Sequence, residues 1–186
     1  MSTMLVATKG ADPATKSTIK DLSNMIDSVV ENNFDVRKEV SLLVKYMDVN
    51  DCKNTVFFEI SKRARRLWIA TPSVTLKFGI LSHQSVFDLS TINNYHKNAG
   101  HVILFTKDFE ENEKLKIAKT ALETAFKCKE DVQKERALCF FYLNGVVSIR
   151  NYLIKGVSEI GPRIDLELDR IFEGCFKGKR IDESSQ

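Results

Sequence analysis

The chain opens on a continuous apolar run, Met4, Leu5, Val6 and Ala7, which reads as a short buried strand. Asp12 followed by Pro13 then supplies a helix N-cap and a first helical residue. Ile19, Leu22, Ile26 and Val29 recur at helical spacing, and Val36, Val40, Leu43, Val44 and Met47 do so again after Asp35, so two amphipathic helices are expected. Beyond Asn54 the texture becomes β-branched and aromatic. VFFEI at 56–60, RLWIA at 66–70 and VTLKFGI at 74–80 predict three successive strands, with Pro72 in a connection where its missing N–H costs no ladder bond.

A polar stretch containing Asn93, Asn94, His96, Lys97, Asn98 and Gly100 marks the internal boundary, and HVILFT at 101–106 predicts another buried strand. Asp108 with Glu111 reads as a capping box opening a helix whose apolar stripe is Leu115, Ala118, Leu122 and Ala125. LCFFYL at 138–143 and VVSIRNYLI at 146–154 flank Asn144-Gly145, the strongest short hairpin signal, and a last extended segment at 164–172 follows the turn Gly161-Pro162. The two halves, about 1–95 and 99–178, thus share an order of strand, helical segment and three strands, with one extra helix in the first. That order predicts an α/β (α+β) fold of two pseudo-repeated halves, each a mostly antiparallel sheet backed by helices. Residues 179–186 read as a mobile tail.

With 186 residues, 43% of them hydrophobic, the chain can bury a sizeable core. No apolar run approaches the roughly 20 residues of a membrane span, and MSTMLVATKG lacks the features of a signal peptide, so a soluble intracellular protein without a membrane partner is expected. Cys52, Cys128, Cys139 and Cys175 form no CxxC pair and share no ligand spacing with the histidines, which predicts reduced thiols and no metal; Cys139, inside LCFFYL, reads as a core residue. The glycines are dispersed rather than grouped into a phosphate loop, and Glu110, Glu111 and Glu113 interleave with lysines as on a solvated helix face. No nucleophile motif stands out. The expectation is a non-enzyme without cofactor or small-molecule substrate.

A net charge of +3 says little until it is mapped. Between Glu59 and Asp88 there is no acidic residue, yet Lys62, Arg63, Arg65, Arg66 and Lys77 lie there, four of them in SKRARRLW. Arginine offers phosphate a two-pronged fork and bases a planar face, so this segment is the first candidate for RNA contact, beside the plainer readings of a solvated hairpin or a nuclear-import patch. Trp68, Phe57 and Phe58 read as core rather than stacking platforms. Arg150 in SIRNYLI and Arg163 in GPRIDL are single charges on extended segments and read as ordinary solvent-facing positions, and Lys9 follows the first predicted strand.

RNYLI, SEIGPRI and RIFEGCFKG together resemble the closing signature of the Brix-domain family, with Arg150, Asn151, Tyr152, Glu159, Gly161, Pro162, Arg163, Arg170, Phe172, Glu173, Gly174, Phe176 and Gly178 in the places that carry it. FFEISKRARRLWIATPSVTLKF resembles the same family's basic hairpin and following strands, and Lys9-Gly10 loosely resembles the end of its first strand. Thr71-Pro72-Ser73 shortens one turn, and Ile164 stands where the family has an aromatic. The resemblance implies a Brix domain over 1–178, similar to class II tRNA synthetase anticodon-binding domains. It further implies a nucleolar ribosome biogenesis factor binding pre-ribosomal RNA through Lys62, Arg63, Arg65, Arg66, Lys9, Arg150 and Arg163. The Ile-Phe-Glu-Gly ending points to the large-subunit (60S) branch, whose members act in rRNA processing beside other assembly factors, including a helical nucleolar partner. The alternatives are the small-subunit branch of the U3 particle, or a protein-interaction scaffold that touches no RNA.

Overall fold

The computed structural model describes residues 2–35, 39–89 and 99–182. Strand β1 (Ser2–Thr8) carries the opening apolar run and is buried from Thr3 onward. Both of its faces and both of its edges are covered. It pairs in parallel with β2 (Ser28–Phe34) and with β3 (Cys52–Ile60). Helix α1 (Pro13–Ser23) packs on one face, while a 3-10 turn (Val40–Leu42) running into α2 (Leu43–Val49) packs on the other. This two-sided cover is why the strand is a continuous rather than an alternating apolar run. The start of α1 is fixed locally, since the Thr15 N–H donates to Asp12 Oδ1 at 2.8 Å and Pro13 occupies the first turn.

Strands β4 (Arg65–Ala70) and β5 (Val74–Gln84) continue antiparallel to β3. The second half repeats the order. β6 (Gly100–Phe105) leads through α3 (Asp108–Glu111) and α4 (Glu113–Ala125) to β7 (Lys134–Leu143), which pairs in parallel with β6. β8 (Val146–Leu153), the short β9 (Ser158–Glu159) and β10 (Arg163–Glu173) complete it. Asn144 and Gly145 both take positive φ, 50° and 88°, as the two-residue turn between β7 and β8 requires.

β5 and β10 pair antiparallel, so the two halves join into one sheet of order β2-β1-β3-β4-β5-β10-β8-β7-β6. The runs β1-β3-β4-β5 and β6-β7-β8-β10 are related by an approximate two-fold perpendicular to the sheet, which puts α1 and α4 on the same face. A single core fills the space beneath them, from Leu5, Phe58 and Ile69 through Leu166 to Phe140 and Leu138. No helix among the described residues is long and apolar enough to cross a membrane.

Several expectations are corrected. Val29 lies in β2, not on a helix: α1 stops at Ser23, Met25 and Ile26 are buried in the turn after it, and the next segment pairs along β1, whose backbone edge would otherwise be open. The second helix is shorter than its apolar spacing suggests, beginning as a 3-10 turn at Val40; Val36 lies outside the described residues, as do residues 90–98 of the polar boundary. Asp108 makes no capping box. It is already the first residue of α3, and Asn112 caps α4 instead, its Oδ1 accepting from the N–H groups of Lys114 and Leu115. Residues 179–182 do not trail away, because the Glu173 N–H donates to the Lys179 carbonyl and the Ile181 N–H to the Ile171 carbonyl.

Candidate nucleic-acid interface

The sheet gathers the sequence-predicted cations at one end. Arg65 pairs with Ile60 at the close of β3, Ala7 near the close of β1 sits beside Phe58, and Gln84 at the close of β5 pairs with Arg163 at the start of β10. Lys9, Lys62, Arg63, Arg65, Arg66 and Arg163 therefore line that end across both halves, with Arg150 next to Arg163 on β8. The same seven residues are not equally available.

Lys62 and Arg63 form the exposed tip of the β3–β4 hairpin. Ser61 holds the loop rigid: its hydroxyl accepts from the N–H groups of Arg63 and Ala64, and its own N–H donates to the Ala64 carbonyl at 2.8 Å. Neither cation is engaged by a carboxylate among the described residues. Lys9 is likewise exposed, at the turn where Gly10, at φ 82°, redirects β1 toward α1.

Strand alternation sends the next two arginines to opposite faces. Leu67 and Ile69 point into the core beneath α1, so Arg65 follows them to the helix side. There its Nη2 donates to His83 Nδ1 at 3.2 Å, and its Nη1 lies 3.9 Å from Asp12 Oδ2. A guanidinium only donates, so His83 carries its proton on Nε2 and donates to Thr15 Oγ1 at 3.1 Å, while the Thr15 hydroxyl donates to Asp12 Oδ2. Burial and the Arg65 charge hold the His83 pKa below the usual imidazole range, which keeps Nδ1 an acceptor. Burial alone would raise the Asp12 carboxyl, but the Thr15 bonds, with His83 and Arg65, outweigh it and bring it below its usual value. Arg66 turns to the other face, where Glu59 accepts from its Nη1 at 3.3 Å and from Trp68 Nε1 at 2.8 Å. Both arginines keep 41–50% of their side chains exposed.

Arg150 departs from an open, solvent-facing arginine, whereas Arg163 keeps 41% of its side chain exposed and differs in being paired. Arg150 is only 19% exposed and donates to Asp165 at 2.6 Å and to the carbonyls of Ile149 and Ile164. Asp165 in turn accepts from Ser148 and Ser82. Burial pushes its carboxyl up, and those hydroxyls with Arg150 more than reverse the push. Arg163 is locked to Glu159, whose hydrogen bond raises its already high pKa. Lys77 is buried against Asp169 at 2.7 Å and adds no free charge. The partners His83 and Asp165 come from strands distant in sequence from the arginines they hold, and no local pattern announces them, whereas Glu159 stands only four residues before Arg163.

A second surface was hidden inside an apparently all-core run. Leu138 and Phe140 face the helices, but Cys139 and Phe141 face the opposite side of the sheet, where they join Val102, Leu104 and Tyr152 around an apolar groove of about 550 Å³. Cys139 is therefore half-buried on a face that no described element covers, and burial pushes its thiol pKa up, away from nucleophilic use.

Comparison with known proteins gives a consistent result. The Ribosome biogenesis protein BRX1 of Saccharomyces cerevisiae is 25% identical over 209 residues, covering 99% of this chain and 72% of that protein. The BRX1 homolog of Dictyostelium discoideum is 27% identical over 192 residues, and the human homolog 21% over 194; they align with 94% and 97% of this chain, which spans 59% and 55% of their lengths. The crystal structure of a probable ribosomal biogenesis protein from Aeropyrum pernix K1 superposes with a TM-score of 0.58 at 12% identity, covering 89% of this chain and 94% of that one, so the fold is shared. The Brix domain matches residues 9–170, and this chain belongs to the Brix domain family.

Proposed function

We propose that this protein is a non-catalytic ribosome biogenesis factor of the nucleolus, acting in large-subunit assembly and rRNA processing, and that it binds pre-ribosomal RNA through the basic end of its sheet. Residues 1–178 act as one Brix module of two halves. The observation that carries the RNA reading is the β3–β4 hairpin tip: Lys62 and Arg63 are exposed, engaged by no carboxylate among the described residues and presented on a loop stiffened by Ser61, with Arg65 and Arg66 half-exposed beside them. A stiff loop loses little entropy on ordering, and free cations release counterions when they meet phosphate. Lys9 extends this surface. Arg150 and Arg163 support it from behind, since their charges are matched by Asp165 and Glu159.

In-cell ultraviolet crosslinking of the tagged protein tests the reading. Crosslinks to large-subunit precursor RNA that disappear when Lys62 and Arg63 are both replaced by Glu would support it, whereas crosslinks to small-subunit precursor RNA would move the protein to the U3 branch. A second reading, an assembly scaffold that works through protein contacts, is favoured by the apolar groove around Leu104 and Phe141. The two are compatible, because groove and hairpin lie on different parts of the sheet. The groove suits the helical nucleolar partner expected of the large-subunit branch.

A further inference from the structure

Phe87 is 89% exposed, the most exposed large apolar side chain among the described residues. It lies in the turn that follows β5, and that turn is tied on three sides. Within it, the Ser85 N–H and hydroxyl donate to Asp88 Oδ2 at 2.9 and 2.7 Å, and the Asp88 N–H returns to the Ser85 carbonyl at 3.1 Å. On the α1 side, the Val86 N–H donates to Asp21 Oδ2 at 2.7 Å. On the β10 side, Gly161 makes room for it: a Cβ there would stand 2.5 Å from Leu89 Cδ1 and 3.6 Å from Val86 Cα. An exposed phenylalanine on a slack loop can fold back onto the surface. This one is held out in solvent by a backbone that has nowhere to go.

The turn stands among the cations. Gln84, just before it, pairs with Arg163, and His83 holds Arg65, which is 50% exposed. β4 and β5 are neighbours in the sheet, so the hairpin tip carrying Lys62 and Arg63 is about one strand spacing, roughly 4.8 Å, across from the close of β5. On α1, Thr15 meets His83 and Asp21 meets Val86, and the exposed Lys16 and Lys20 lie along the helix between those two contacts. Asp88, the acid beside the ring, directs its carboxylate back to Ser85.

A stable protein interface needs several hundred Å² of continuous contact on each partner, and this turn offers one ring: Val86 is buried, and Gln84 and Asp88 are polar. One ring is the size of one base. A base inside a duplex already has both faces stacked, so a fixed aromatic surrounded by cations suits an unpaired nucleotide. We infer that Phe87 stacks an unpaired base of the RNA while Lys62, Arg63 and Arg65 take neighbouring phosphates, so that the basic end of the sheet gains affinity from single-stranded RNA that a duplex cannot supply. The inference rests on the RNA reading above and specifies the form of RNA that this site takes.

Fluorescence anisotropy of the purified full chain tests this with two probes: an oligouridine, whose bases are unstacked, and an RNA duplex long enough that its ends count little. Phe87→Ala should weaken oligouridine binding by about tenfold and leave duplex binding within about twofold. The slope of log affinity against log salt should stay unchanged, because a stacked ring releases no counterion. Phe87→Tyr should restore the affinity, and neither variant should move the melting temperature, since so exposed a ring supports no packing. Ultraviolet crosslinks to oligouridine should map to the peptide carrying Phe87, and benzoylphenylalanine placed there in the full chain in its own cells should give no protein adduct. Equal losses on the two RNAs would overturn the inference, as would crosslinks that avoid this peptide or a protein adduct at this position. So would an unchanged oligouridine affinity in Phe87→Ala while Lys62→Glu with Arg63→Glu still weakens binding and flattens the salt slope, a result that leaves the RNA reading standing. Failure of the parent to bind either RNA would overturn both.

Discussion

Arg163 lies against Glu159 with Nε and Nη2 2.6 and 2.7 Å from the two carboxylate oxygens, so its charge is matched before any ligand arrives. The same carboxylate stands 3.9 Å from Arg150, which bonds Asp165, which accepts from Ser82. This chain of contacts crosses from β8 through β10 to β5, and so ties the second half to the first. Replacing Arg150 with Ala removes the cation between two carboxylates. The expected result is a stability loss of about 2 kcal/mol in urea denaturation with RNA affinity, corrected for folded fraction, within about twofold of the parent. A large affinity loss at unchanged stability would instead make Arg150 a direct RNA contact.

The hairpin tip should behave in the opposite way. Lys62 and Arg63 are exposed and bond no carboxylate among the described residues, so replacing both with Glu leaves the melting temperature nearly unchanged. Binding to precursor RNA should weaken, and the slope of log affinity against log salt should become shallower by about 1.5 for two lost phosphate contacts. Fluorescence anisotropy across a salt series reads both quantities. A weaker affinity with an unaltered slope would mean that the tip shapes the site without touching phosphate.

What the sequence made legible follows from which forces are local. The Asn144-Gly145 turn, the Asp12 cap and the stripe Leu115, Ala118, Leu122 and Ala125 are set by neighbours a few residues apart, and each is found where the pattern places it. Val29 misled because its spacing from Ile26 fits a helix equally well, and only the bare edge of β1 selects a strand. The basic hairpin was visible as a run of like charge, but the matching of Arg150 by Asp165 depends on β8 and β10 becoming neighbours. The exposure of Cys139 was invisible for a related reason. Whether an apolar residue is core depends on a covering helix, and among the described residues the second half has none over that face.

Gly178 gives a sharper test of the end of the fold. A Cβ at this position would collide with the backbone carbonyl of Glu173, whose N–H holds the Lys179 carbonyl. Main chain cannot move aside as a flexible side chain does, so Gly178→Ala should detach residues 179–182 from β10 and loosen the turn holding Phe176. Phe172 and Phe176 pack on Trp68 at 6.1 and 6.4 Å between ring centroids, so the loosening should red-shift the emission of the only tryptophan. The accompanying loss, about 2 kcal/mol, corresponds to a fall in melting temperature of about 4–8 °C. An unshifted emission would show that the packing on Trp68 does not depend on this turn.

His101 makes the fold sensitive to acid. Its side chain is 2% exposed, Nε2 donates to the Phe126 carbonyl at 2.7 Å, and Nδ1 is buried without a hydrogen-bond partner among the described residues. Protonation would put a second N–H and a charge where neither has an acceptor. Burial accordingly drives the pKa down to about 4, against the pull of the Phe126 carbonyl and with help from Arg136 and Lys134. In the unfolded chain the imidazole takes up its proton near pH 6.5. The folded pKa is the lower one, so the unfolded state binds more protons between these values. The stabilisation is then complete above about pH 6.5 and falls by about 1.4 kcal/mol per pH unit toward pH 4, about 3 kcal/mol in total. Urea denaturation from pH 7.5 to 4.5 should show this slope in the parent. In His101→Gln, where an amide N–H can still reach the Phe126 carbonyl without titrating, the slope should be reduced by that amount. His83, shifted in the same direction, contributes to both proteins and cancels in the difference. A flat difference across this range would mean that Nδ1 finds an acceptor on protonation, and that the pocket around β6 opens in acid without unfolding the sheet.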